Sequence, residues 1–165
     1  MAANSPKRLA LDSNFVFDLA AKKDFVLTCR EVLQERGWTL CLAPTALDGL
    51  QLIEERGEPE ERRLAGLALD NLELWGIQTF SLSDVNSAIA GSFSDRLIHA
   101  GLLPAAEWND GVILGEAAVE GIPLLVTSDR HLLHIEHDAL AKVFAEADLE
   151  PAYPLRPQTL LKTFT

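Results

Sequence analysis

Cysteine is scarce. Cys29 and Cys41 are the only two, and they form no Cys-x-x-Cys pair. Two isolated thiols supply neither a disulfide framework nor a full zinc-ligand set, and they read as reduced core residues. Long apolar runs are missing as well. The longest tracts are broken by Asp, Glu or Gly, well short of the roughly 20 residues that span a bilayer. Met1–Arg8 is short and polar, without the apolar centre of a secretory leader. The expectation is a soluble, cytoplasmic chain with no membrane contact. Repeats, low-complexity segments and linkers are absent too, so the 165 residues are read as one domain over 1–165.

Positive charge is the other shortage. Fourteen Lys and Arg face 25 Asp and Glu, a formal net charge of -11. Nucleic-acid binders ordinarily present basic surface that releases counterions, and bulk charge here works against a phosphate backbone. A cation held in an acidic pocket reverses the local sign. The composition therefore disfavours unassisted RNA binding and leaves metal-dependent phosphodiester chemistry open.

What is present is an ordinary globular balance, 48% hydrophobic and 24% charged residues. Short apolar runs predict strands over 8–11, 39–43, 77–80, 123–126 and 152–155. Helical patterning is predicted over 14–37, 44–56, 60–75, 83–100 with an interruption at Gly91, 105–120, a piece beginning at Asp129, and 139–147. Pro44 suits a first helical position, and Gly37 and Gly121 suit helix ends. Strands that alternate with helices imply an α/β fold with a parallel sheet covered on both faces. Its ligand crevice lies outside the carboxyl ends of the strands.

Two carboxylates fall at that edge: Asp12 directly after the first strand, and Asp129 after the fourth strand and Thr127-Ser128. Asp110 lies in the first turn of its helix. Ile113, Leu114 and Ala117 share its face, so Asp110 points inward, where a carboxylate needs a partner. Each acid also has a local reading: Asp12 and Asp129 suit helix N-caps, and Asp110 answers a helix dipole. Three carboxylates at one edge repel one another, and a hard divalent cation such as Mg²⁺ or Mn²⁺ relieves this with oxygen ligands alone.

The sequence resembles the PIN-domain nuclease family. Leu9-Ala10-Leu11-Asp12-Ser13-Asn14 is similar to the family's opening strand and first metal-binding Asp. Trp108-Asn109-Asp110-Gly111-Val112-Ile113-Leu114-Gly115-Glu116-Ala117 is similar to its later acidic helix. Gly121-Ile122-Pro123-Leu124-Leu125-Val126-Thr127-Ser128-Asp129 is similar to its closing strand with Thr-x-Asp. The resemblance covers roughly residues 8 to 135. It implies a three-layer PIN-like fold, a central parallel sheet of four to five strands flanked by helices.

The resemblance further implies a metal-dependent endoribonuclease. Asp12, Asp110 and Asp129 would bind Mg²⁺ or Mn²⁺. Asn14, Thr127 and Ser128 would hold those ligands in place, and Arg130 would contact substrate phosphate. The family carries a Glu early in its second helix; here Gly49 stands at that register, and Asp48 is the candidate substitute. Relatives of the toxin type imply an RNA substrate, an antitoxin or other protein partner, and a homodimer.

Other readings compete. A PIN-like scaffold with a weakened site would work as an interaction module, as Gly49 and the acidic charge suggest. A haloacid-type phosphatase would want Asp-x-Asp after the first strand, where Asp12-Ser13-Asn14 stands. A receiver domain would want paired acids there and a late Lys. His131, His134 and His137 recur every three residues, but no Cys or further ligand nearby completes a zinc site. Trp38, Trp75 and Trp108 read as packing residues rather than base platforms. The run from Glu54 to Arg63 reads as a solvated face or turn, with a partner surface as the alternative.

Overall fold

The computed structural model describes residues 7–164. The reading of Met1–Arg8 as no leader therefore rests mainly on residues outside that range. The chain forms β1 (Lys7–Leu11), α1 (Ser13–Ala20), α2 (Asp24–Glu35), β2 (Trp38–Leu42), α3 (Pro44–Arg56), α4 (Pro59–Asn71) and β3 (Ile77–Thr79). It continues through α5 (Asp84–His99), a 3₁₀ turn (Ala105–Glu107), α6 (Trp108–Val119), β4 (Leu124–Val126), α7 (Arg130–Leu133), α8 (His137–Glu146), β5 (Tyr153–Leu155) and α9 (Pro157–Phe164).

The five strands pair in the order β3-β2-β1-β4-β5, all parallel. Right-handed crossovers then put α1 to α4 on one face and α5, α6 and α8 on the other. The packing agrees: α3 and α1 rest on α4, while α6 and α8 rest on α5. The inner strand residues Leu9, Leu11, Leu40, Leu42, Leu125 and Val126 are fully buried. Each contributes roughly 1.5–3 kcal/mol of burial free energy. Phe93 of α5 stacks on Phe144 of α8 with centroids 4.3 Å apart.

Register positions the site. Leu11 pairs with Leu42 and with Val126, and Val126 pairs with Leu155. The residues that follow, Asp12, Thr127 and Arg156, therefore stand side by side at the carboxyl edge. The ladder extends one step there, because Asp12 N–H donates to Val126 O at 3.0 Å and Thr127 N–H to Leu155 O at 2.9 Å.

The predicted strands stand within about a residue of their expected positions. The helix expected over 14–37 is two helices. Lys22 adopts a left-handed φ of 58°, and its neighbours close α1 through Lys23 N–H donating to Asp18 O at 3.1 Å. A Lys ion-paired to Asp18 from the next position reinforces the corner. Only Gly or Asn would have announced such a turn. α5 runs through Gly91 without interruption. The Trp108 ring lies against that glycine, 3.4 Å from where a Cβ would sit, an ordinary contact distance. Residues 105–107 form a 3₁₀ turn rather than the start of α6, and α9 lies in a tail with no predicted element. Gly121 takes φ of 80° and ends α6 with Ile122 N–H bonding back to Ala117 O at 2.9 Å, a glycine-dependent closure.

Cys29 and Cys41 are free and buried, as expected of core thiols. The Glu54–Arg63 run is the exposed turn into α4, closed by a Glu58–Glu61 capping box. No helix among the described residues is long and apolar enough to cross a membrane.

Candidate functional site

Asp12 is buried and uses both carboxylate oxygens. Oδ1 accepts from Ser13 N–H at 2.7 Å, the N-cap bond of α1. Oδ2 accepts from the Thr127 hydroxyl at 2.8 Å and from Asn14 Nδ2 at 3.4 Å. Burial pushes the Asp12 carboxyl up; the Thr127 and Ser13 bonds oppose it, and repulsion from Asp129 adds to it. Thr127 is the hub. Its Oγ1 donates to Asp12 and accepts from Asp129 N–H at 3.0 Å, so the first and last acids of the sequence pattern share one hydroxyl. Asn14 also accepts from Ser128 N–H at 3.3 Å, which ties the two strand ends together.

Asp110 and Asp129 come together with Glu107, each offering a carboxylate oxygen within 4.8 Å of the others. Asp12 is not one of these three and acts on Asp110 through its charge. Burial is the main influence on Asp110. Carboxyl–carboxylate hydrogen bonds to Glu107 and Asp129 and repulsion from Asp12 and Asp129 add to it, pushing the Asp110 carboxyl up to about 9. Asp110 therefore holds its proton far more tightly than an ordinary carboxyl. A hard divalent cation relieves the same repulsion and takes the same oxygen ligands, so the donor set fits a metal of that kind. Asp129 also caps α7, its Oδ1 accepting from His131 N–H at 2.7 Å. The local and the metal-binding readings of Asp129 are thus compatible.

Asp48 is exposed and lines a cleft of about 400 Å³. Asp110, Thr45, Gly49, Leu52, Ser13 and Trp108 share that cleft. Trp38 and Trp75 pack against the core. Trp108 packs on α5, with its ring against Gly91 and its indole N–H donating to Asp95 at 2.8 Å, but it is 41% exposed and also lines the cleft. Arg130 is exposed at the far side of Asp129 and lines a separate pocket with Ser128.

Two acids were not singled out by the sequence. Glu107 lies three residues before Asp110, a spacing that brings side chains to one helix face, and that spacing was the available signal. Its Oε1 also lies 3.5 Å from His131 Nε2. Glu116 is 4% exposed and accepts from Thr45 N–H at 3.0 Å and Thr45 Oγ1 at 2.8 Å. It caps α3, whose Ala43-Pro44 start has no side-chain cap of its own. Burial raises the Glu116 carboxyl against those two bonds. Of the three spaced histidines, His131 faces Glu107 and His137 stacks on Tyr153 with centroids 4.3 Å apart. The potential ligand cluster found among the described residues contains carboxylates alone.

No protein-family model matches the sequence, and no curated protein matches it. Solved structures do. VapBC2 from Rickettsia felis, bound to a DNA fragment from their promoter, has 19% identity and a TM-score of 0.61 over 90% of this chain and 98% of that one. FitAB bound to a DNA fragment has 15% identity and a TM-score of 0.54 over 90% and 94%. FitAcB from Neisseria gonorrhoeae has 16% identity and a TM-score of 0.54 over 91% and 98%. These are toxin–antitoxin complexes that contain PIN-domain chains. At such identities the likeness establishes the fold, a three-layer PIN-like α/β fold with an all-parallel five-stranded sheet.

Proposed function

We propose that the chain is a single PIN-like domain acting as a Mg²⁺- or Mn²⁺-dependent endoribonuclease. The observation that carries this reading is the carboxyl group formed by Glu107, Asp110 and Asp129 at the carboxyl edge of the sheet, backed by buried Asp12. Asp110, Asp129 and Glu107 would ligate the cation, and Asp12 would join them or hold the charge behind them. When bound, such an ion supplies the Lewis acidity that phosphodiester hydrolysis requires. Thr127 fixes the Asp12 carboxylate and the Asp129 backbone in one hydrogen-bonded unit. Asn14 and the Ser128 backbone keep the two strand ends in register. Asp48, which lines the same cleft as Asp110, would add negative charge there, and Arg130 would meet a phosphate of the substrate.

The toxin–antitoxin neighbours support a protein partner of the antitoxin kind, and a homodimer fits the same class. Purified protein with Mn²⁺ should cleave single-stranded RNA, and Asp12→Asn and Asp110→Asn should each abolish cleavage. Full activity in both variants would rule out this site. A second reading is favoured by Gly49, which leaves the family's second acid position without a carboxylate: a PIN-like scaffold working through its partner. That reading expects no cleavage by the parent chain with either metal.

A further inference from the structure

We propose that the pocket lined by Ser128, Arg130, Arg156 and Gln158 is a phosphate subsite that holds a second phosphate of the nucleic-acid strand cut at the carboxyl cluster. This rests on the proposed nuclease reading for the identity of the strand, but the anion chemistry stands on the pocket itself. The cavity is about 230 Å³, roomy for a phosphate and part of its sugar. Its four lining residues offer a hydroxyl, two guanidinium groups and a side-chain amide, all hydrogen-bond donors. Guanidinium forks match phosphate oxygens in pairs.

Charge makes the pocket unusual for this chain. The sequence carries 25 Asp and Glu, yet no carboxylate lines this cavity. Among the described residues neither Arg130 nor Arg156 has a hydrogen-bonded or ion-paired side-chain partner, whereas Arg8 and Arg63 are each paired to a glutamate. Two unpaired cations lining one pocket repel each other, and an anion held there offsets that cost.

Topology places the pocket beside the cluster. Arg156 follows β5 as Thr127 follows β4, in register through Val126 and Leu155. Ser128 and Arg130 flank Asp129, whose Oδ1 turns away to cap α7. Asp110 thus lines the Trp108 cleft, while both chain neighbours of Asp129 line the arginine pocket. A strand crossing the acids would set one phosphate at the cluster and another against the guanidinium pair. An acidic protein that cannot attract RNA by bulk charge would hold it through this local pair.

The test uses the full chain, ¹⁵N-labelled and metal-free, titrated with inorganic phosphate and with uridine trinucleotides bearing or lacking a 5′-phosphate. The arginine Nε–Hε resonances are followed by NMR. Arg130 and Arg156 should shift together and saturate while Arg62 stays still. Arg156→Gln should weaken phosphate binding about ten-fold. Tighter binding of the 5′-phosphorylated trinucleotide identifies a terminal phosphate as the occupant; equal binding identifies a backbone phosphate. Shifts spread evenly over all arginines, or no saturation with phosphate or either trinucleotide, would overturn the subsite.

A second arm separates the two proposals. With Mn²⁺, Arg156→Gln should raise KM for RNA more than it lowers kcat, and reduce the log–log salt slope of binding by about one. Cleavage with an unchanged KM and slope would sink the pocket and leave the nuclease reading standing. Phosphate binding without any cleavage by the parent chain would do the reverse.

Discussion

Replacing Asp110 with Asn should make the metal-free protein more stable at neutral pH, even though a half-buried acid is lost. Its carboxyl is pushed from 3.8 up to about 9, by burial first and by its bonded and charged acid neighbours next. The folded state thus keeps a proton that the unfolded chain releases near pH 4. The unfolded state binds fewer protons between those values, so stability falls as pH rises from about 4 to about 9. At about 1.4 kcal/mol per unit the full shift has a ceiling of roughly 7 kcal/mol. The group opens toward solvent, whose screening leaves on the order of 2 kcal/mol at pH 8. Asn carries no such proton and escapes the loss. For a chain of this length that gap corresponds to about 4–8 °C in Tm.

The assay is thermal unfolding of both proteins in EDTA from pH 4 to pH 9, with and without added Mn²⁺. The two curves should meet near pH 4 and diverge as pH rises, the variant above. Mn²⁺ at about a hundred times its Kd should return roughly 2.7 kcal/mol to the parent chain and much less to Asp110→Asn. A variant no more stable than the parent at pH 8, or a gap that does not widen with pH, would refute the crowded-carboxyl account.

Thr127→Val should cost about 1–3 kcal/mol in urea unfolding, because it leaves Asp12 Oδ2 and Asp129 N–H without their shared partner; Thr127→Ser should be nearly neutral, and equal losses would point to packing instead. Gly115→Ala should destabilise by roughly 1–3 kcal/mol, since its Cβ would sit 2.9 Å from the Ala90 carbonyl oxygen; an unchanged melt would show that α5 and α6 yield freely. Gly49→Glu should fold normally, as its Cβ meets only Ser13 Oγ at 4.0 Å, and should tighten Mn²⁺ binding several-fold by adding a carboxylate to the cleft; calorimetry showing no gain would separate Gly49 from the metal site.

Most of the secondary structure was legible because it rests on local signals. The strands are short apolar runs, and Pro44, Gly37 and Gly121 mark element ends through their own backbone geometry. The break at Lys22 was hidden because a left-handed lysine has no composition cue. Asp12 and Asp129 were legible as strand-end acids, and Asp110 through the apolar face it shares with Ile113 and Leu114. Asp12 and Asp129 each cap a helix and still stand at this edge, since one oxygen of Asp129 is enough for the α7 cap.

By itself the sequence determined that this is a parallel α/β chain with acids at the carboxyl edge, because strand runs, helix periodicity and end residues are properties of neighbours along the chain. Only the tertiary structure decided which acids meet. It joined Glu107 to Asp110 and Asp129, drew Asp12 back into the Thr127 network, spent Glu116 on capping α3 and left Trp108 open on the cleft. It also put Arg130 and Arg156, 26 positions apart by their numbering, into one pocket. Carboxylate repulsion and guanidinium pairing act over a few ångströms in space, and that distance is set by sheet register and crossover hand, which no local window of sequence contains.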